Sequence, residues 1–122
     1  MIRIVGVQRC AESKGEFVLL QNQGAMRLVL RGHVLMAEEA FDHSPSHAVH
    51  VFVDEVKIGP GQFVLLRSCS GEPHWSTTKE GHHVYHTFAN SDRPIWSATQ
   101  GTLHLLGVQH TFTERREPAL MV

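Results

Sequence analysis

Cysteine, long hydrophobic runs and an excess of one charge are all scarce in this sequence of 122 residues. Two cysteines, Cys10 and Cys69, are too few for a disulfide scaffold, although one bridge between them stays geometrically open. Eleven lysines and arginines against 12 aspartates and glutamates leave a net charge of -1, which argues against a general electrostatic grip on nucleic acid or acidic membranes. Apolar runs such as 17–20 and 63–66 reach only four residues, far below the roughly 20 that cross a bilayer. We expect no membrane contact, no nucleic-acid partner and, because no signal peptide is evident, a cytoplasmic location.

The length and the composition suit one domain with a buried core. Hydrophobic residues make up 42% of the chain and charged residues 19%. A chain of this length withdraws roughly two-thirds of its unfolded surface from water, so it needs neither metal nor disulfide to stay folded. We expect a single β-sandwich domain over residues 1–116 and a short C-terminal tail over 117–122.

Short apolar segments separated by turn residues dominate the sequence, and no stretch of a dozen residues carries apolar side chains at helical spacing. This pattern predicts an all-β sandwich or barrel. Gly6 indicates a bulge in the first strand, and Gly59, Pro60 and Gly61 predict a tight turn. Irregular connections are expected at 38–48 and 68–81. The predicted strands cover residues 2–10, 16–22, 27–30, 33–37, 50–58, 62–67, 82–88, 103–106 and 110–113.

Four segments, taken in order, resemble those of a known family. They are Gly15-Glu16-Phe17-Val18-Leu19-Leu20-Gln21-Asn22, Leu30-x-Gly32-x-x-Leu35, the two strands of 52–66 around Pro60-Gly61, and Trp96 followed by Gly101-Thr102-Leu103-His104-Leu105-Leu106. Their order and spacing resemble the lamin tail domain, an immunoglobulin-like module of nuclear lamins and of many bacterial proteins. The likeness spans about residues 2–114, with His33 where the family usually has Trp and with 107–109 lacking the usual Asp-Gly turn. It implies an immunoglobulin-like β-sandwich with Trp96 in its core and no catalytic residues.

Two of the predicted strands are apolar on both faces. If Val18 and Leu20 point into the core, Phe17 and Leu19 must point away from it, because side chains alternate along a strand. The same alternation directs Phe63 and Leu65 outward. We expect this face either to contact a partner, including a second copy of the chain, or to be covered by the connection 38–48. Trp75, predicted to lie in a polar loop, is a further interface candidate.

Ten histidines raise the question of metal binding or pH sensing. His43, His47 and His50 are weak candidate metal ligands, and His82 and His86 would lie roughly 13 Å apart along a strand. Cys69 has no nucleophile motif around it, and the sequence lacks the common phosphate-loop, zincin and serine-hydrolase motifs. We expect a non-catalytic protein-binding or assembly module without cofactors. The alternatives are a histidine-rich metal-binding or small hydrolytic domain, and adhesion gated by pH.

Overall fold

The computed structural model describes residues 1–41, 48–99 and 101–107, and within these residues the chain forms ten β-strands and two 3₁₀ helices. The strands are β1 (Ile2–Gln8), β2 (Phe17–Asn22), β3 (Leu28–Val29), β4 (Val34–Ala37), β5 (Val49–Val51), β6 (Lys57–Ile58), β7 (Phe63–Arg67), β8 (His74–Thr77), β9 (His83–Phe88) and β10 (Leu103–Leu106). The helices cover Ser13–Gly15 and Glu38–Phe41. Neither of these described helices has the length or the apolar character needed to cross a membrane.

Within the described residues the strands form three sheets. The largest has the order β1-β2-β7-β9-β8 and is antiparallel apart from the parallel pair β7 and β9. The second has the order β10-β4-β5, and β3 pairs with β6 in a two-stranded ribbon. The predicted all-β class is therefore confirmed, and the arrangement is consistent with a sandwich.

Alternate side chains on the central strands of the large sheet form much of the core. Val18 and Leu20 on β2, like Val64 and Leu66 on β7, have no exposed surface, whereas the residues between them are half-buried. The second sheet and the loops supply the other large core side chains, among them Leu30, Leu35, Phe52, Trp96 and Leu103. Both the predicted core face of the two strands and the burial of Trp96 are confirmed.

A buried carboxylate holds the segment that carries Trp96. Glu16 is fully buried and accepts hydrogen bonds from the backbone N–H groups of Ile95 (2.7 Å), Trp96 (2.9 Å) and Ser97 (2.8 Å). Its Oε1 also accepts a hydrogen bond from the hydroxyl of Ser68 (2.6 Å). Successive N–H groups that point to one place form a concavity that suits an anion. Glu16 therefore connects the start of β2 to the loop that inserts the indole into the core.

Arg9 binds the same loop through its carbonyl groups. The guanidinium donates hydrogen bonds to the carbonyl oxygens of Trp96 (3.1 Å) and Gly101 (2.8 Å). The N–H and the hydroxyl of Thr99 also donate to the carbonyl of Trp96. The loop is thus held by an anion at its N–H groups and by a cation at its carbonyl oxygens.

The two predicted glycine features are confirmed. The pairing of β1 with β2 shifts register between Ile4 and Gly6, which is the expected bulge. In the turn before β7, Gly61 has a φ of 80°, a conformation that favours glycine, and the N–H of Gln62 donates to the carbonyl of Gly59 (3.1 Å).

Two expectations about irregular connections require correction. The prediction of a loop over 68–81 is wrong because β8 lies within it and pairs with β9. β8 is an edge strand of mainly polar residues, so the apolar alternation that marks the central strands is missing from it. The connection 38–48 begins with the 3₁₀ helix Glu38–Phe41. The predicted strand 110–113 and the tail 117–122 lie outside the described residues.

Candidate functional site

Four of the five predicted interface residues lie together on the side of the large sheet that is opposite the core, which we call the outer face. Leu19 on β2 is directly opposite Leu65 on β7. Phe17 and Phe63 lie two residues away along their strands, toward opposite ends of the pair. All four side chains are half-buried. The structure therefore brings these residues into one apolar patch.

The outer face continues from β7 across β9 to β8, where its chemistry changes. Leu65 is opposite His86, and His86 is opposite His74, so one row crosses four strands from leucine to imidazole. The rings of His74 and His86 are stacked, with centroids 4.4 Å apart and planes that differ by 5°. Phe88 also stacks near His74, with centroids 6.3 Å apart. The aromatic rings thus extend the apolar patch toward the edge of the sheet.

His86 is held in its neutral form by its surroundings. Burial lowers the pKa of His86 from 6.5, and the positive charges of His74 and Arg67 lower it further. Its Nε2 lies 2.7 Å from the hydroxyl oxygen of Ser76 on β8. The Nδ1 of His74 donates to the backbone carbonyl of Glu72 (2.8 Å). At neutral pH the His86 imidazole, which lies between Leu65 and His74 in this row, is therefore uncharged.

The described ends of the connection 38–48 lie beside the second sheet. The N–H of Ala37 donates to the carbonyl of Ala48 (2.9 Å), and the N–H of Glu38 donates to the carbonyl of Thr102 (2.9 Å). The carboxylate of Glu39 accepts a hydrogen bond from the N–H of Gly101 (2.9 Å). Residues 42–47 lie outside the described residues. The described ends of the connection therefore lie at the second sheet, beside β4 and β10, whereas the outer face belongs to β2 and β7 of the large sheet.

Trp75, the fifth predicted interface residue, lies on the other face of the large sheet. It pairs with Tyr85, which in turn pairs with the core residue Val64, so the three share the core side. Because β8 is an edge strand, the indole is still 42% exposed. Its ring centroid is 5.3 Å from that of Tyr85. Trp75 therefore belongs to a different surface from the other four candidates.

The structure also locates the candidate metal ligands that it describes. His43 and His47 lie outside the described residues. The ring of His50 packs edge-on against Phe52, with centroids 4.7 Å apart. Burial lowers the pKa of His50, and the negative charge of Asp54 opposes that shift. In the described part of the chain, no group of three or more His, Cys, Asp or Glu side chains is arranged to hold a metal ion.

His82 and His86 have different partners. The ring of His82 packs edge-on against Phe63, with centroids 5.5 Å apart, and its Nε2 lies 3.8 Å from a carboxylate oxygen of Glu80. His86 is stacked on His74 instead. The ring nitrogens of an imidazole bind metal in the plane of the ring, so two parallel stacked rings do not direct their lone pairs to one ion. This arrangement does not form a chelating pair.

Cys10 and Cys69 are free, half-buried thiols. The Sγ of Cys10 lies close to Gly15, where an added Cβ would be only 2.7 Å away. The bridge that the sequence left open is not formed.

Two buried or half-buried carboxylates carry contacts that sequence reasoning missed. The Oδ2 of Asp54 accepts hydrogen bonds from the hydroxyls of Tyr85 (2.8 Å) and Thr87 (3.0 Å). Burial raises the pKa of Tyr85, and the hydrogen bond to Asp54 and its charge raise it further. Glu16 binds the Trp96 loop across 79 to 81 residues of sequence. The only signal for it was an acidic residue directly before an apolar strand.

Comparisons of the chain with protein-family models, with curated proteins and with solved structures each returned no significant match. The likeness to the lamin tail domain consequently rests on the four sequence segments alone.

Proposed function

We propose that the protein is a non-catalytic assembly module of the lamin-tail, immunoglobulin-like type, and that its outer face binds a second copy of the chain. The observation that carries this proposal is the contiguous apolar patch of Phe17, Leu19, Phe63 and Leu65 on the side of the sheet opposite the core. The order of the four lamin-like segments supports the family, and the all-β architecture agrees with it.

The low net charge supports a second copy as the occupant. Two identical chains bring identical patches together, and a twofold contact is self-complementary by construction. A net charge of -1 leaves almost no long-range repulsion between copies. The lowered pKa of His86 keeps that imidazole uncharged at neutral pH, so the cation on this part of the face is Arg67, directly opposite Phe17 at one end of the patch.

The size of the face sets the expected strength of association. Five strands spaced by about 4.8 Å, with about five residues at roughly 3.3 Å each, give a flat area of about 400 Å². Two copies would then bury about 800 Å², below the roughly 1,200 to 2,000 Å² of stable complexes. The expected dimer is therefore weak and depends on concentration.

Sedimentation equilibrium between micromolar and millimolar chain concentrations tests the proposal. The double variant Leu19→Gln, Leu65→Gln replaces the centre of the patch by polar side chains of similar length, and we expect it to abolish the dimer. Val53→Gln is the matched control, because Val53 is 74% exposed and lies outside the outer face. We expect it to dimerise like the natural chain.

Two results would contradict the proposal. The first is a natural chain that is monomeric at every concentration. The second is a folded double variant that dimerises like the natural chain, because the patch would then not be the contact.

A further inference from the structure

A cavity of about 380 Å³ lies where the edge of the large sheet meets the β3–β6 ribbon. The ribbon side contributes Arg27, directly before β3, and Lys57 on β6. The sheet side contributes Trp75 and Thr77 on β8 and His83 on β9. This surface is separate from the outer face, and nothing in the proposed assembly uses it.

The indole in this cavity is exposed and yet held in place. Trp75 is 42% exposed, although an indole is the largest apolar side chain available. Tyr85 lies against it, with ring centroids 5.3 Å apart, and the hydroxyl of Tyr85 donates to Asp54 (2.8 Å). A ring that is already ordered loses little conformational entropy when a ligand stacks on it.

The ionisable side chains that line the cavity, among the described residues, are two cations and one histidine. Arg27 and Lys57 are permanent cations, and His83 adds an imidazole within hydrogen-bond distance of the Thr77 hydroxyl (3.2 Å). Among the described residues that line the cavity there is no carboxylate. In a chain with a net charge of -1, this local excess of positive charge favours an anion.

From these observations we infer that the cavity binds a small nucleotide-like ligand, with a planar ring on Trp75 and a phosphate at Arg27 and Lys57. Stacking on an indole and pairing with cations are the two contacts that such a ligand needs. A volume of about 380 Å³ lies at the low end of the roughly 300 to 1,000 Å³ found for small-molecule sites. This volume suits one nucleotide, so the ligand that we propose is a mononucleotide.

A titration of ¹⁵N-labelled protein with AMP, followed by NMR, tests this inference. The indole N–H signal of Trp75 should shift in a saturable way, while that of the fully buried Trp96 should stay unchanged as an internal reference. Adenosine carries the ring without the phosphate, and ribose 5-phosphate carries the phosphate without the ring. We expect AMP to bind at least about tenfold more tightly than either half, because it makes both contacts.

Variants of exposed cations separate binding from folding. Arg27 and Lys57 are both exposed, so Arg27→Gln and Lys57→Gln should fold normally and should each weaken AMP binding about twofold to fivefold, as loss of one exposed ion pair predicts. Lys14→Gln, at an exposed cation in the first 3₁₀ helix, is the control and should bind like the natural chain.

Three outcomes would overturn the inference. One is an unchanged Trp75 signal up to 10 mM AMP, at about the millimolar limit of weak specific binding. Another is equal affinity for AMP and for adenosine or ribose 5-phosphate. The third is tighter binding of an oligodeoxyadenylate of ten nucleotides than of AMP, because the site would then bind a nucleic-acid strand rather than a mononucleotide. None of these results depends on whether the outer face dimerises.

Discussion

Replacing Glu16 by glutamine should lower the free energy of unfolding by about 2 kcal/mol, the loss expected for one hydrogen bond to a charged group. A glutamine carbonyl can still accept hydrogen bonds from Ser68, Ile95 and Trp96, all of which bind Oε1 of Glu16. Its amide group, however, would face the N–H of Ser97, which now donates to Oε2 at 2.8 Å. Two donors then oppose each other where a charge-assisted hydrogen bond was.

Replacing Glu16 by alanine removes the acceptor for all four donors at once. A buried donor without an acceptor costs about 1 to 3 kcal/mol. Trp96 N–H and the Ser68 hydroxyl are in buried hydrogen bonds, whereas the bonds from Ile95 and Ser97 are only partly buried. Water can hydrogen-bond to the N–H groups of Ile95 and Ser97, so we expect the free energy of unfolding to fall by about 4 kcal/mol rather than by the sum for four unsatisfied donors.

Urea unfolding followed by circular dichroism measures both losses. With a slope of about 1.5 kcal/mol per molar, the midpoint should fall by about 1.3 M for E16Q and about 2.7 M for E16A. Glu12→Gln is the matched control, because Glu12 is exposed and its side chain makes no capping hydrogen bond. That variant should change stability by less than about 0.5 kcal/mol. An E16Q protein as stable as the E12Q control would refute the view that the charge of Glu16 holds the Trp96 loop.

Two further predictions concern His86 and Tyr85. The pKa of His86 lies below 6.5 in the folded chain, so the unfolded chain binds its proton first, and stability should fall as pH drops through about 6.5. Measured as melting temperature between pH 7.5 and 5.5, this decline should be shallower for His86→Asn than for the natural chain. An equally steep decline in the variant would contradict the lowered pKa of His86. Tyr85→Phe should lower the free energy of unfolding, measured with urea, by about 1.5 to 3 kcal/mol, because it removes a hydrogen bond to the Asp54 carboxylate. Asp54→Asn keeps an acceptor oxygen for the Tyr85 hydroxyl, so it should lower the free energy of unfolding by less than Tyr85→Phe does. A larger loss for Asp54→Asn would show that the negative charge of Asp54 makes a further stabilising interaction.

The core strands could be predicted because their signal is local. The alternation in 17–22 and 63–67 follows the two-residue period of a strand, so each residue's face is fixed by its neighbours. That signal also placed Phe17, Leu19, Phe63 and Leu65 on one face, although it could not show that Leu19 and Leu65 are directly opposite. Register depends on which strands pair, and pairing is decided by the whole sheet.

Features that depend on distant partners were beyond sequence reasoning. β8 was missed because an edge strand needs apolar residues on one face at most, and its pairing with β9 supplies its order instead. The interactions of Glu16 with Ile95 and of Asp54 with Tyr85 join residues 79 and 31 positions apart. A buried carboxylate looks like any other acidic residue until its donors are placed around it.

The histidines show why position matters more than number in this chain. Protonating all ten would add ten positive charges to a net charge of -1, and these charges would appear over one narrow pH range only if all ten shared one pKa. The structure gives them different pKa values, because burial lowers the pKa of both His50 and His86. His74 and His86 are stacked with centroids 4.4 Å apart, so a proton on one ring opposes a proton on the other. Because the pKa of His86 is lowered, the row that starts at Leu19 keeps an uncharged imidazole next to Leu65 to a lower pH than the composition implies.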